Sequence, residues 1–579
     1  VQVEQNLDFR NLNTLWCSII VETLYRLGLT TAIISPGSRS TPLTVAFARH
    51  SGVETIPVLD ERAAAFLALG IAKRGRIPVA LVCTSGTAGA NFYPAVIEAK
   101  YSRVPLLIFT ADRPPELRNC HAGQTIDQIK LYGNYPNWYA ELAVPSAEVE
   151  MLYYLRQNII HAWERSLFPV AGVVHLNLPF REPLAPIEQP EINQLESTGL
   201  EAQLFRDVRL NLPLSTSYLL DANSLVQDWQ KYERGIIIAG VAHPEQPEKY
   251  CQAIARISHL LKFPVLAEAL SPLRNYAHLN SQVISTYDLI LRNSELAKNL
   301  TPEIVILIGE LPTSKELRAW LNKIKAKTYI IDNGCDNLDA LHSNSIHLRS
   351  TIENMAANLT IYDGQKKSLY ADNWLDLETK FTNKINAKMK DVINLFEGKV
   401  PWILSKILPA NTPIFIANSM PVRYCEFFWQ KSQRKIIPYF NRGANGIEGT
   451  LSTALGIAHR HKSSILLTGD LALLHDTNGF LNSKYFQGHL TIILINNNGG
   501  GIFETLPIAK FDPPFEDFFA TPQNIDFAKI CDTYSIKYQS IKSWQQLEQL
   551  LNPLPQKGIR LLELKTDRKA DSLWLKEHL

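Results

Sequence analysis

The residues best suited to chemistry stand at the ends of two apolar runs. Gly469-Asp470 closes SSILLTGD, and Asn496-Asn497 closes LTIILINN. The Asp470 carboxylate, the Asn497 amide oxygen and a nearby backbone carbonyl, taken at Gly499, are hard oxygen donors. Such a set suits Mg2+, or Mn2+ in its place, an ion that shares its octahedron with water and phosphate oxygens. Gly469 and Gly499-Gly500-Gly501 let the backbone approach a phosphate closely. A Gly-Asp pair alone is commonplace. Its pairing with Asn-Asn, each at a strand end, is far more specific.

The elements that must position these residues follow an α/β grammar. In the first third, AIISPGS, VALVCTSG and VPLLIFTAD each end an apolar run in Gly, Ser, Thr or Asp, with helical patterns between them, and HLNLPF closes the block. Repeated βα units of this kind predict a parallel sheet covered by helices on both faces. Residues 1–185 are read as one domain, and the Pro- and Glu-rich stretch from Glu182 to about Phe205 as a linker. A second block, 206–350, carries GIIIAGVA, FPVLAEAL, IVILIGELP and YIIDNG but no G-x-G-x-x-G, so it lacks the dinucleotide fingerprint. The polar stretch of 345–400 reads as a second linker with a helix from Trp374 to Phe396. PIFIANS, SSILLTGD and LTIILINNN repeat the scheme in 372–579. The predicted fold is α/β, three doubly wound parallel-sheet domains alike in grammar rather than in letters.

Composition sets the outer bounds. The chain has 579 residues, of which 46% are hydrophobic and 20% charged, values ordinary for a globular protein and foreign to disorder or coiled coil. Its net charge of +2 provides no field for nucleic acid. Seven scattered cysteines without C-x-x-C fit a reduced, cytoplasmic chain better than a disulfide framework or a structural zinc site. No apolar run reaches the ~18–20 residues of a membrane span, and the opening VQVEQNLDFRNLN has no leader layout.

The Gly-Asp…Asn-Asn pair resembles the diphosphate and metal motif of thiamine-diphosphate enzymes, in which Gly usually follows the Asp; here Leu471 follows it, and its N–H could still reach phosphate. The stretches SPGSRSTPL, LDERAAAFLALGIAK, CTSGTAGANFYPAVIEA, TADRPPELR, NRGANGIEGTLSTALG and NNNGGGIF narrow the likeness. Together they resemble the 2-succinyl-5-enolpyruvyl-6-hydroxy-3-cyclohexene-1-carboxylate synthase family of menaquinone or phylloquinone biosynthesis. The likeness is strong over the first and last thirds and rests mainly on layout in the middle. It implies a transferase that uses thiamine diphosphate and Mg2+ or Mn2+ to decarboxylate 2-oxoglutarate and add the remaining fragment to isochorismate. By resemblance the first domain is pyrimidine-binding and the third diphosphate-binding. A homodimer or homotetramer with sites shared between subunits is implied as well.

Site residues follow from the likeness and from their own chemistry. Glu61 precedes the apolar, helix-forming AAAFLALGIA; a carboxyl facing an apolar pocket is raised by desolvation and can share a proton with a ring nitrogen. Taken alone, a first-turn carboxylate favoured by the helix dipole would be the better reading; beside Asp470 and Asn497 the functional one prevails. Ile447 resembles the bulky residue that props the cofactor, its plain alternative being a core helix residue. Two polyanionic substrates call for guanidinium groups, which pair with carboxylates in a planar, bidentate way. Arg39, Arg113, Arg423 and Arg442 are the candidates, each placed after a strand or in its trailing loop, although any single surface Arg is more often a solvated charge. Ser38, Gln124 and Ser419 stand beside them as neutral donors, and Ile502 with Phe503 forms an apolar wall. In the middle domain the family often carries Lys-Arg, whereas this chain has Lys315-Glu316; Gly123 also replaces an Asn of a relative. No histidine is required, and neither His121 nor His475 is nominated.

Two other readings stand beside this one. Another thiamine-diphosphate carboligase or decarboxylase, acetolactate-synthase-like, is disfavoured by the arginine set, since pyruvate offers one carboxylate. A non-catalytic binding protein on the same fold is disfavoured by the presence of Glu61, Asp470 and Asn497 together.

Overall fold

The computed structural model describes residues 7–206, 208–209, 221–360 and 368–579. Residues 1–6 of the opening read for a leader, and 361–367 of the polar stretch, lie outside the described residues. The chain packs as two compact units. The first holds the described residues before 210 together with Asn441–Arg460 and His475–Gln487; the second holds the described residues from 221 to Phe440 with His461–Leu474 and Gly488–Leu579.

Three six-stranded sheets, parallel throughout, make the frame. The first contains β1 (Thr31–Ile34), β2 (Glu54–Pro57), β3 (Val79–Cys83), β4 (Leu106–Asp112), β5 (Trp138–Glu141) and β6 (Val173–Pro179), ordered 2-1-3-4-6-5. The second contains β7 (Gly235–Ala239), β8 (Val265–Ala267), β9 (Val283–Ile284), β10 (Ile304–Ile308), β11 (Lys327–Ile331) and β12 (Ser345–Leu348), ordered 12-11-10-7-8-9. The third contains β13 (Pro413–Ile416), β14 (Ile437–Tyr439), β15 (Ser464–Gly469), β16 (His489–Asn496), β17 (Lys537–Ile541) and β18 (Gly558–Lys565), ordered 14-13-15-16-18-17. The first and third sheets thus share one topology. The middle one has the order of dinucleotide-binding folds without their glycine fingerprint.

Burial on both faces explains why the central strands are unbroken apolar runs. In the middle sheet, Ile237, Ala239, Ile304 and Ile306 enter one core while their neighbours Ile236, Ile238, Val305 and Leu307 enter another. The strands absent from the sequence reading are mostly edges. Trp138–Glu141 and Lys537–Gln539 are half-buried or exposed and never form an apolar run.

The described residues of the two expected linkers form secondary structure. Between Glu182 and Phe205 lie the short helices Pro190–Asn193 and Leu200–Phe205, and Ile192, Leu200, Leu204 and Phe205 join the first core. Apolar residues four apart on the second helix find that core. The predicted Trp374–Phe396 helix runs Leu369–Asp391 instead, and it bridges two domains. Its Tyr370 and Trp374 pack into the middle domain, its Ile385 and Met389 into the third. Before it, β12 and the helix Ile352–Ala357 complete the middle domain.

The first unit also contains a helix of the third block. Thr450–Ala458 packs on Glu61–Gly75, and the two share the letters Ala-Leu-Gly-Ile-Ala at 68–72 and 454–458, an identity in sequence as well as in grammar.

Candidate active site

Parallel sheets bind ligands where the strand order reverses, outside the carboxyl ends of the strands. In the first sheet that point lies between β1 and β3. The loop after β1 carries Ser38, exposed, and Arg39, whose N–H donates to Thr84 Oγ1 (3.3 Å) in the loop after β3. Arg39 Nη1 donates to the Phe180 carbonyl (3.0 Å) and lies 3.4 Å from Glu182, while its buried Nε has no partner among the described residues. Arg113, just past β4, donates to Ser85 Oγ, and Gln124 Nε2 donates to the Ser85 carbonyl (3.0 Å). Burial, and then the charge of Arg39, push the Arg113 guanidinium down from its ordinary range. Two guanidinium groups in one neighbourhood favour an anion between them. Ser85, which gathers Arg113 and Gln124, was not singled out from the sequence; its place in CTSG after a strand is the signal that could have found it.

Glu61 is the first residue of the helix Glu61–Gly75, behind Asp60, whose carboxylate caps the helix by accepting from Ala63 N–H (3.0 Å) and from Asn478 Nδ2 (2.7 Å). It is half-buried rather than enclosed by an apolar pocket, because it stands on the exposed first turn. Its charge reaches the Cys83 thiol at the end of β3, which burial, and then Glu61, push upward. Ile447 precedes the helix Thr450–Ala458 instead of lying within it; it is half-buried, and its carbonyl accepts from Thr450 Oγ1 (2.7 Å). Gly449, at φ +67°, comes so close to Phe66 that a Cβ there would lie 1.9 Å from the ring. Ile447 and Glu61 thus belong to one packed body. Arg442 is half-buried in the same unit, on a loop pinned by Glu98, which accepts from the N–H groups of Gly443 (3.0 Å) and Ala444 (2.7 Å).

In the second unit, β15 and β16 pair so that Gly469 lies opposite Ile495, setting Asp470 beside Asn496-Asn497 at the carboxyl ends of these two strands, next to the reversal point between β13 and β15. The Asp470 carboxylate accepts from the N–H groups of Leu471 (2.9 Å) and Gly499 (2.8 Å), and burial raises it to about 6. The Leu471 N–H, expected to reach phosphate, is therefore taken up by its neighbour's carboxylate. Asn497 Nδ2 donates to Glu397 Oε1 (2.5 Å), and Asn497 Oδ1 is buried without a partner among the described residues. Burial, with Asp470 nearby, raises Glu397, and burial with Glu397 nearby raises Asp571. A buried acceptor oxygen left without a donor beside a buried carboxylate fits an oxygen-preferring cation. No three His, Cys, Asp or Glu side chains form a metal cluster among the described residues, so the remaining ligands must come from backbone, water or a phosphate. A Cβ on Gly469 would meet nothing within 4 Å, which leaves open space beside the carboxylate.

The glycine run has another use than expected. A Cβ on Gly499 (φ +138°) would lie 2.3 Å from the Ala520 carbonyl oxygen, one on Gly500 2.6 Å from that of Phe519, and one on Gly501 2.7 Å from Asn497 Nδ2. These glycines make room for a neighbouring segment and for the Asn497 amide. The Gly499 carbonyl accepts from Gly501 N–H (3.0 Å).

Two of the remaining candidates line a cavity of about 260 Å³ between the middle and third sheets' domains. Lys315, at the start of the helix Lys315–Ile324, and Arg423 both face it, together with Glu316, Arg292 and Lys576. Arg423 lies on the first turn of the helix Met420–Phe428 rather than in a loop, and its Nη1 donates to the Ser419 carbonyl (2.6 Å). Ser419 itself is held at φ +69°, a conformation rare for a residue with a side chain. Arg292 stacks 4.9 Å over Phe427, with Nε on Asp288 (2.9 Å). Arg292 and Lys576 were missed because neither stands near a motif; only folding brings them beside Lys315. Ile502 packs partly into the third core and Phe503 lies 5.7 Å from Phe519, edge to face, on a turn that Arg568 holds through Glu504 (3.0 Å).

Three family models match along the chain. They are described as the N-terminal TPP binding domain of thiamine pyrophosphate enzymes (residues 17–131), the middle domain of thiamine pyrophosphate enzymes (215–416) and their C-terminal TPP binding domain (419–563). Curated relatives run the whole length. The 2-succinyl-5-enolpyruvyl-6-hydroxy-3-cyclohexene-1-carboxylate synthase of Gloeothece citriformis is 64% identical over 99% of both chains. Those of Rippkaea orientalis (62%, over 99% of this chain and 97% of the relative) and Trichodesmium erythraeum (60%, over 99% of each) carry the same name. The chain belongs to this synthase family of thiamine pyrophosphate enzymes.

Within the family frame the two groups of residues fall in different domains. The N-terminal TPP binding domain carries Glu61, Arg39, Arg113 and Gln124, and the C-terminal one carries Asp470 and Asn497. Both use the same strand order and the same reversal point. All seven cysteines are free, and no helix among the described residues is long and apolar enough to cross a membrane.

Proposed function

We propose that the chain decarboxylates 2-oxoglutarate and adds the remaining four-carbon unit to isochorismate, giving 2-succinyl-5-enolpyruvyl-6-hydroxy-3-cyclohexene-1-carboxylate and CO2 on the menaquinone or phylloquinone route. The observation that carries this reading is the placement of Asp470 beside Asn497, whose Oδ1 has no partner among the described residues, at the carboxyl ends of two paired strands, in a chain similar throughout its length to curated synthases of that name.

Asp470, Asn497 and the Gly499 carbonyl would hold Mg2+ or Mn2+, which would anchor the diphosphate of thiamine diphosphate. When bound, that cofactor supplies an electron sink for the bond broken on loss of CO2. Glu61 would hold and return a proton at the pyrimidine ring, and Ile447 would support the cofactor's bent shape. Arg39 and Arg113, with Ser38 and Gln124, would bind one set of carboxylates. Lys315 and Arg423, with Ser419, would bind another, with Arg292 and Lys576 offsetting Glu316; Arg442, in the first unit, is a further carboxylate-binding candidate. Ile502 and Phe503 would exclude water from the apolar side.

The enzyme acts in the cytoplasm as a homodimer or a pair of dimers, the first domain of one subunit meeting the third of its partner. Incubation with thiamine diphosphate, Mg2+ and 2-oxoglutarate, with and without isochorismate, tests the reading by product mass and CO2 release. Efficient release only with both substrates is expected. Brisk turnover of pyruvate would overturn it.

A further inference from the structure

An amide side chain offers a cation an oxygen at one end and two N–H groups at the other, so an Asn ligand is useful only if something decides which end faces the ion. The structure assigns that role to Glu397, a positioning residue that locks Asn497 with its Oδ1 toward the cation. The inference rests on the metal reading of the proposed function.

Three observations carry it. Asn497 Nδ2 donates to Glu397 Oε1 at 2.5 Å while Oδ1 has no partner among the described residues, so this orientation of the amide leaves its oxygen open to a cation. The opposite orientation would give up the Nδ2 donation and, with Glu397 ionised, set two acceptor oxygens against each other. Glu397 is itself buried and held: its N–H donates to Asp571 Oδ2 (3.4 Å) and its Oε1 also accepts from Thr566 Oγ1 (3.4 Å). Gly501 keeps the other side of the amide clear, since a Cβ there would lie 2.7 Å from Nδ2. Asp470, by contrast, is oriented by the backbone N–H groups of Leu471 and Gly499, with no side-chain hydrogen-bond donor among the described residues. The two side-chain ligands are thus aimed by different means, and the one that could turn over is aimed by a carboxylate. Outer partners of this kind typically set metal affinity by about 10–100-fold.

The test is a Mn2+ titration of the full-length protein with saturating thiamine diphosphate, following free Mn2+ by electron paramagnetic resonance. Asn497→Asp places a carboxylate against Glu397 and should weaken Mn2+ binding by about 10–100-fold, although a carboxylate is otherwise the stronger ligand. Adding Glu397→Gln should restore it, because the new amide donates to the Asp. Glu397→Met alone should weaken binding to a similar extent and, in an Asn497→Ala background, should cost nothing further. Undiminished Mn2+ affinity in Asn497→Asp, or no recovery in the double variant with wild-type thermal stability, overturns the inference while leaving the metal site standing. Absence of Mn2+ binding to wild type overturns the metal reading itself.

Discussion

Gly70 and Gly456 meet where two helices cross almost backbone to backbone. A Cβ on Gly70 would lie 2.1 Å from the Thr453 carbonyl oxygen, and one on Gly456 would lie 2.3 Å from that of Leu67. Ala in a helix interior ordinarily stabilises by roughly 0.5–1 kcal/mol over Gly. Here the neighbouring carbonyls cannot yield, so Gly70→Ala and Gly456→Ala should each destabilise the first unit by about 1–3 kcal/mol. Urea unfolding midpoints check this, and a stabilised variant would show that the helices do not touch.

Cofactor retention should separate the two carboxylates of the proposed site. Asp470→Ala should abolish uptake of thiamine diphosphate with Mg2+ in calorimetry. Glu61→Gln should bind the cofactor yet lose about 10²–10⁴-fold in kcat, the range of a lost acid–base group. If sites are shared, mixed dimers of these two inactive chains should regain activity; proven subunit exchange without recovery would count against sharing.

Lys315 and Arg423 line the same cavity and should show in KM. Each charge-assisted hydrogen bond is worth about 1.5–3 kcal/mol. Lys315→Ala and Arg423→Ala should therefore raise KM for one substrate by about 10–100-fold. Arg423→Lys should rescue poorly, since it gives up the planar guanidinium that also reaches the Ser419 carbonyl. Steady-state kinetics with each substrate varied in turn identifies which carboxylate they hold.

His175 gives the first domain a pH-dependent stability. It lies buried on β6 with Nε2 2.8 Å from Thr110 Oγ1, and burial lowers its imidazole from 6.5 to about 3. Native His175 therefore stays neutral where the unfolded chain takes a proton. Its stability contribution is complete above pH 6.5 and is lost as pH falls from 6.5 toward 3. Between about pH 6.5 and pH 5 the loss amounts to about 2 kcal/mol. Urea titrations at both pH values should show a smaller drop for His175→Gln than for wild type; equal slopes would refute the assignment.

The sequence by itself determined the class of fold and the cofactor chemistry. Central strands are buried on both faces and so announce themselves as apolar runs. The residues proposed to hold the metal and diphosphate sit at the ends of such runs, which is why Asp470 and Asn497 were legible as a pair. Glu61 was legible as a first-turn carboxylate ahead of an apolar helix. Tertiary structure decided what depends on neighbours far apart in the chain. The Asn497 amide is aimed by Glu397, a hundred positions earlier. Arg292 and Lys576 come to Lys315 from separate elements, and edge strands such as Lys537–Ile541 exist only because a neighbour accepts their hydrogen bonds. Periodicity and motif report what a residue does to its own segment. Partners across space, and the energy of bringing them together, are set only when the chain has closed on itself.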